Sequence, residues 1–173
     1  MAFSLYDATV ANYLQTVGAV AGFLDRGGAH YVDNNMDPND LVETRLFADM
    51  LPLKFQVLAV AHHSVGAIEG VKAGLFGAPT DMPGIDYAGL RKVVADAQAA
   101  LKKYTPADVN GLAGKDVTFK IRDFVLPFTA EGFLMSFSLP NFHFHATTAY
   151  DILRTKGVPL GKRDYLGAMR MKS

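Results

Sequence analysis

Histidine is the side chain best placed to do chemistry in this sequence, because its proton affinity lies near neutral pH and its ring nitrogens bind ligands and metals. Five occur, and four of them form two close pairs, His62 with His63 and His143 with His145. The first pair lies inside the most apolar stretch of the chain, where an imidazole without a partner is costly to bury. On a helix, His62 shares a stripe with Phe55, Leu58, Val65 and Glu69, whereas His63 points about 100° away, toward Gln56, Ala59 and Gly66. Asn141 stacks one turn before His145 on a single helix face, while His143 sits about 200° around from His145. Asn141, His145 and one of His62 or His63 are therefore expected to converge between two helices, where helical bundles build ligand and metal sites.

Other chemistries lack their residues. The chain has no cysteine, which excludes disulfides, thiolate metal centres and cysteine nucleophiles. It has no His-Glu-x-x-His run, no serine nucleophile elbow and no dinucleotide glycine fingerprint. Residues 157–163 look faintly like a phosphate loop, but the glycine spacing is one short, no Ser or Thr follows Lys162, and a helix precedes them. Ser64 does not form a triad with its neighbours His62 and His63, since adjacent helix positions point apart. Phe124, Phe128, Phe133, Phe137, Phe142 and Phe144 read as core and interface rather than as a base-stacking platform.

Four helical stretches must position the histidines. The first is expected over residues 4–25, with Leu5, Thr9, Tyr13, Val17, Val20 and Leu24 on one stripe and Gly27-Gly28 stopping it. The second runs over residues 38–75, capped by Asp37 before Pro38 and kinked or split by Pro52. Beyond Pro52 it is apolar almost all round, which marks a central, buried helix, and Gly77-Ala78-Pro79 ends it. A third spans residues 86–104. Val117 to Ile121 alternates as a strand, and Arg122-Asp123 turns it back into Phe124 to Leu126 as a small hairpin. The fourth helix starts at the Thr129 cap, bends near Pro140, and ends at Gly157. The expected fold is all-α, a four-helix bundle with a small β-hairpin before the last helix, forming one domain over residues 1–173.

The 17 basic and 17 acidic side chains cancel, which argues against a nucleic-acid partner. No signal peptide or membrane span is legible, so a cytoplasmic protein is expected. Charge is nonetheless uneven: residues 1–50 hold seven acids against Arg26 and Arg45, and residues 151–173 hold six bases against Asp151 and Asp164. The basic tail is either solvated or folded over the acidic N-terminal region of its own or a partner chain. A homodimer is expected from this asymmetry and from the Phe-rich apolar surface.

The run LPNFHFHATTAYDILR at residues 139–154, followed by GVPLGKRDYLG at residues 157–167, closely resembles a bacterial family of unassigned function. That family is placed among the DinB-like (YfiT-like) four-helix bundles. Residues 52–57 extend the resemblance more loosely over the whole chain. It implies a cytoplasmic, often dimeric bundle, some of whose relatives bind a divalent metal and act as thiol transferases or hydrolases. Their metal centre uses one histidine on the second helix and a His-x-x-x-His pair on the fourth. His145 matches the second histidine of that pair, Asn141 stands in place of the first, and His62 or His63 matches the second-helix ligand. The expectation is a small-molecule pocket lined by His62, His63, Asn141 and His145, with no resident cofactor. A divalent-metal-dependent hydrolase or transferase and a non-catalytic homodimeric interaction module are the alternatives.

Overall fold

In the computed structural model, which describes residues 3–172, helix formation begins with a reciprocal cap at Ser4. Its hydroxyl accepts from the Asp7 amide at 3.2 Å, and the Asp7 carboxylate accepts from the Ser4 amide at 3.2 Å. Helix α1 (Leu5–Ala8) passes through Thr9 into α2 (Val10–Asp33). Gly27 and Gly28 lie inside this helix and do not stop it. A Cβ on Gly27 would stand 2.6 Å from the Tyr87 hydroxyl, and one on Gly28 would stand 3.1 Å from the Tyr87 ring. The glycines admit Tyr87 of α5 (Tyr87–Leu101), whose hydroxyl donates to the Leu24 carbonyl at 2.7 Å.

The stretch before Pro52 is a 3₁₀ turn (Pro38–Leu41) followed by loop, not a long helix. Pro52 is the residue before α3 (Leu53–Ala61) rather than a kink within it. The first amides of α3 have no partner inside the helix, and those of Leu53 and Lys54 donate instead to the carbonyls of Thr44 (2.8 Å) and Val42 (3.1 Å). A π-helical turn (His62–Gly66) joins α3 to α4 (Ala67–Ala73), which ends at Gly74 with φ 72°, ahead of the expected stop.

Leu75–Phe76 then forms a short strand, β1, that the sequence did not announce. It pairs in parallel with β2 (Asp116–Ile121), which pairs antiparallel with β3 (Phe124–Thr129) across the expected turn at Arg122 and Asp123. Between them lie α5 and a short helix α6 (Pro106–Asn110). The last long helix starts as α7 (Ala130–Gly132), capped by Thr129, widens into a second π-helical turn (Phe133–Ser138), and continues as α8 (Leu139–Thr155). Pro140 offers no amide proton, and the widened turn immediately precedes it.

Helix α2 packs on α5 and α8, and α3 packs on the same two helices from the other side. Tyr13, Phe23, Leu53, Ile68, Leu90, Leu134, Phe142 and Ile152 fill the space between them. The chain is mostly helical but not all-α, because a three-stranded sheet replaces the lone hairpin. The buried face of that sheet, Val117, Phe119 and Phe76, rests on Phe133 and Phe137 of the second π turn, with Phe119–Phe137 and Phe76–Phe133 centroids at 4.6 and 4.9 Å.

The C-terminal segment, including α9 (Lys162–Leu166), lies along α2 of its own chain. Gln15 donates to the Leu166 carbonyl at 2.8 Å and Arg170 donates to Asn12 at 2.6 Å. The ion pair there runs opposite to the expected sense, since the base, Arg26, comes from α2 and the acid, Asp164, from the tail. Among the described residues no helix is long and apolar enough to cross a membrane.

Candidate functional site

The two π-helical turns face each other across the bundle, and they carry or adjoin the histidines. A π turn inserts an extra residue into a helix and re-aims the side chains that follow, a device frequent at functional sites. Ser138, at the end of the second turn, donates to the His63 carbonyl in the first at 2.7 Å. The Tyr13 hydroxyl of α2 donates in turn to Ser138 Oγ at 3.2 Å.

Of the second-helix pair, His63 is the one that meets the last helix. Its ring lies 5.8 Å from that of His145, nearly parallel at 19°. His62 touches His63 edge-on at 5.4 Å and stacks on Phe76 at 4.2 Å. Gly70 makes that stack possible, because a Cβ there would fall 2.7 Å from the Phe76 ring. Strand β1 thus positions His62. His143 is exposed and contacts Phe142.

Hydrogen bonds set the state of two of the rings. Gln56 Nε2 donates to the Leu51 carbonyl at 2.8 Å, which turns Gln56 Oε1 toward His145. The His145 Nδ1–H donates to that oxygen at 2.8 Å, leaving Nε2 with a free lone pair. The His62 Nε2–H donates to the Gly77 carbonyl at 2.8 Å, leaving Nδ1 as the acceptor. His63 differs: its Nδ1 is buried and has no hydrogen-bond partner. Buried polar atoms are normally satisfied, so this nitrogen is the exception in the cluster.

Charge is disfavoured throughout the cluster. Burial, reinforced by the neighbouring His62 and His145, holds the His63 pKa down to about 3. Burial, with His62 as a second cause, holds His145 down to about 4. The His62 value is also lowered by burial, opposed by its bond to Gly77. At neutral pH the site offers uncharged imidazoles, which accept or donate hydrogen bonds and attract no ion by charge.

Asn141 is half-buried on the same helix face as His145, and its amide donates to the Phe137 carbonyl at 2.7 Å, within its own helix. Among the described residues no group of three or more His, Cys, Asp or Glu side chains is placed to hold a metal ion. The residues present therefore do not fit the three-histidine centre that the resemblance implies, because a carboxamide bonded to its own helix stands where one imidazole is needed. Gln56, Ser138 and Phe76 complete the site without having been singled out. Gln56 had a signal: it is the one polar side chain among the buried residues of α3.

Comparison with known proteins places this geometry. The family described as "Domain of unknown function (DUF1993)" matches residues 5–166. No curated protein matches the chain. A crystal structure of a DinB family member protein from Shewanella denitrificans is similar to it, with a TM-score of 0.80 and 29% identity over 98% of this chain and 95% of that one.

Proposed function

The chain belongs to the DUF1993 family, and from that premise we propose that it is a DinB-like four-helix-bundle protein that binds a small molecule between its second and last long helices. His62, His63, Asn141 and His145 line the binding position. The observation that carries this reading is the buried His63 Nδ1 without a partner, held beside a His145 ring whose Nε2 lone pair is free. A ligand group that donates a hydrogen bond would use the second, and would reach the first only by displacing the side chains that close over it. Phe55, which meets His145 at 5.7 Å, and Phe137, which meets His63 at 5.8 Å, supply apolar contact. The alternative of a divalent-metal-dependent hydrolase or transferase has weaker support, given the place of Asn141.

The test is an NMR screen of amino-acid-sized compounds that follows the ring protons of His63 and His145. Binders should move both resonances and lose affinity in His145→Ala. If no compound moves them, and His145→Ala unfolds the protein instead, the histidines are structural and an interaction module becomes the better account.

A second copy of the chain is the macromolecular partner in this reading, in a cytoplasmic setting. Phe124 and Phe144 are more than half exposed (58% and 56%), and a second copy would cover such rings. Light scattering that reports a monomer at micromolar concentration removes the dimer from the reading.

A further inference from the structure

A cavity of about 300 Å³ lies between the loop that precedes α3 and the loop that follows Gly77. Leu51, Pro52, Phe55 and Pro79 line it together with Arg45 and Asp81. Both sides are tied to the histidines. The Phe55 ring packs edge-on against His145 at 5.7 Å, and the Leu51 carbonyl accepts the Gln56 amide that orients His145. Pro79 follows closely on Gly77, whose carbonyl holds His62. The volume is at the lower end of the range for small-molecule sites, the size of an amino acid rather than of a cofactor.

Two of the charges around this cavity, Arg45 and Asp81, are exposed and unpaired. Lys54 and Glu43, which also line it, neutralise each other at 2.6 Å. Arg45 forms no ion pair among the described residues, and its guanidinium donates only to the neutral Met50 carbonyl. Asp81 accepts only the adjacent Met82 amide, at 2.9 Å. A guanidinium and a carboxylate thus border one apolar-walled cavity without pairing to each other. A ligand of single charge would be attracted by one and repelled by the other, whereas a ligand that carries both charges satisfies both.

We propose that this cavity takes a zwitterionic α-amino acid, or a molecule that ends in one. Its carboxylate faces Arg45, its ammonium faces Asp81, and its apolar side chain packs on Phe55. None of His62, His63, Asn141 and His145 lines this cavity, so the proposal is of a second site and goes beyond the small-molecule reading above.

The experiment is titration of the ¹⁵N-labelled full chain with four probes of similar size: L-phenylalanine, hydrocinnamate, 2-phenylethylamine and phenylacetamide. L-Phenylalanine should shift the Leu51 and Phe55 amides and the Gln56 side-chain amide saturably, at least about tenfold more tightly than the other three. Arg45→Gln and Asp81→Asn should each weaken it about tenfold, and Asp81→Asn retains the oxygen that accepts the Met82 amide. Equal binding of all four probes, or binding indifferent to both variants, overturns the zwitterion while the small-molecule site stands. No shift with L-phenylalanine up to about 10 mM overturns this inference as well. The histidine-resonance screen decides the reading of the histidine cluster separately.

Discussion

The hydroxyl of Ser138 donates to the main-chain carbonyl of His63 at 2.7 Å and so joins the two π-helical turns of the bundle. A π turn leaves helical backbone imperfectly paired, and here a side chain from one helix bonds the other where it widens. The same hydroxyl accepts from Tyr13, so three helical segments meet at one buried oxygen. The position of the His63 ring against His145 depends on that junction.

Ser138→Ala should therefore cost more than a methyl-sized change normally does. It leaves the Tyr13 hydroxyl and one acceptor site of the His63 carbonyl unpartnered at full burial, worth about 1–3 kcal/mol. Urea denaturation measures the loss, and the His63 and His145 ring resonances should move with it. A change below about 0.5 kcal/mol, with both resonances in place, would show that the junction is incidental.

Stability should fall as the solution is acidified through the histidine range. In the folded protein His63 titrates near about 3 and His145 near about 4, both below the ordinary value of 6.5. The unfolded chain then binds more protons than the folded one, so the stabilisation is complete above about pH 6.5 and is lost as pH drops toward the folded values. The slope is at most about 1.4 kcal/mol per pH unit for each ring. Urea melts between pH 7.5 and 4.5 test this above most carboxylate titration, and equal stability at the two ends contradicts the burial of neutral imidazoles.

The glycines of α2 should behave oppositely. Gly22 has no atom within 4 Å of an added Cβ, so Gly22→Ala should stabilise the helix by up to about 1 kcal/mol. At Gly27 the same methyl falls 2.6 Å from the Tyr87 hydroxyl, and displacing that ring should outweigh the helical gain and give a net loss of about 1–2 kcal/mol. Thermal unfolding of the two variants compares them directly. Equal gains at both sites would show that Tyr87 moves aside freely.

Protein purified without an affinity tag should carry less than about a tenth of an equivalent of zinc, nickel or manganese. Asn141→His places an imidazole one turn from His145 on the same face, the spacing at which two helical histidines share an ion. That variant should retain zinc through desalting where the parent does not, as elemental analysis reads. Stoichiometric metal in the parent would revive the metal-dependent alternative.

Much of this molecule is written in local pattern. The stripes of α2 and α5, the all-round burial of α3, the Thr129 cap and the β2–β3 turn follow from periodicity and from the preferences of a few residues, which act within one or two turns. The pairing of a second-helix histidine with His145 also follows, since the most apolar helix must lie at the centre and the last helix must pack on it. Other features needed the assembled fold. Gly27-Gly28 reads equally as a helix stop or as a packing notch, and only Tyr87, distant in sequence, decides between them. Two residues make too short a strand to betray β1, which exists because β2 offers it an edge. His63 rather than His62 faces His145 because the face it shares with Gln56 is the one that meets the last helix, while β1 stacks Phe76 on His62, and neither packing is written in the local pattern. Local preference is a sum over neighbours in sequence, whereas the orphaned nitrogen of His63 is a fact about which surfaces close over it.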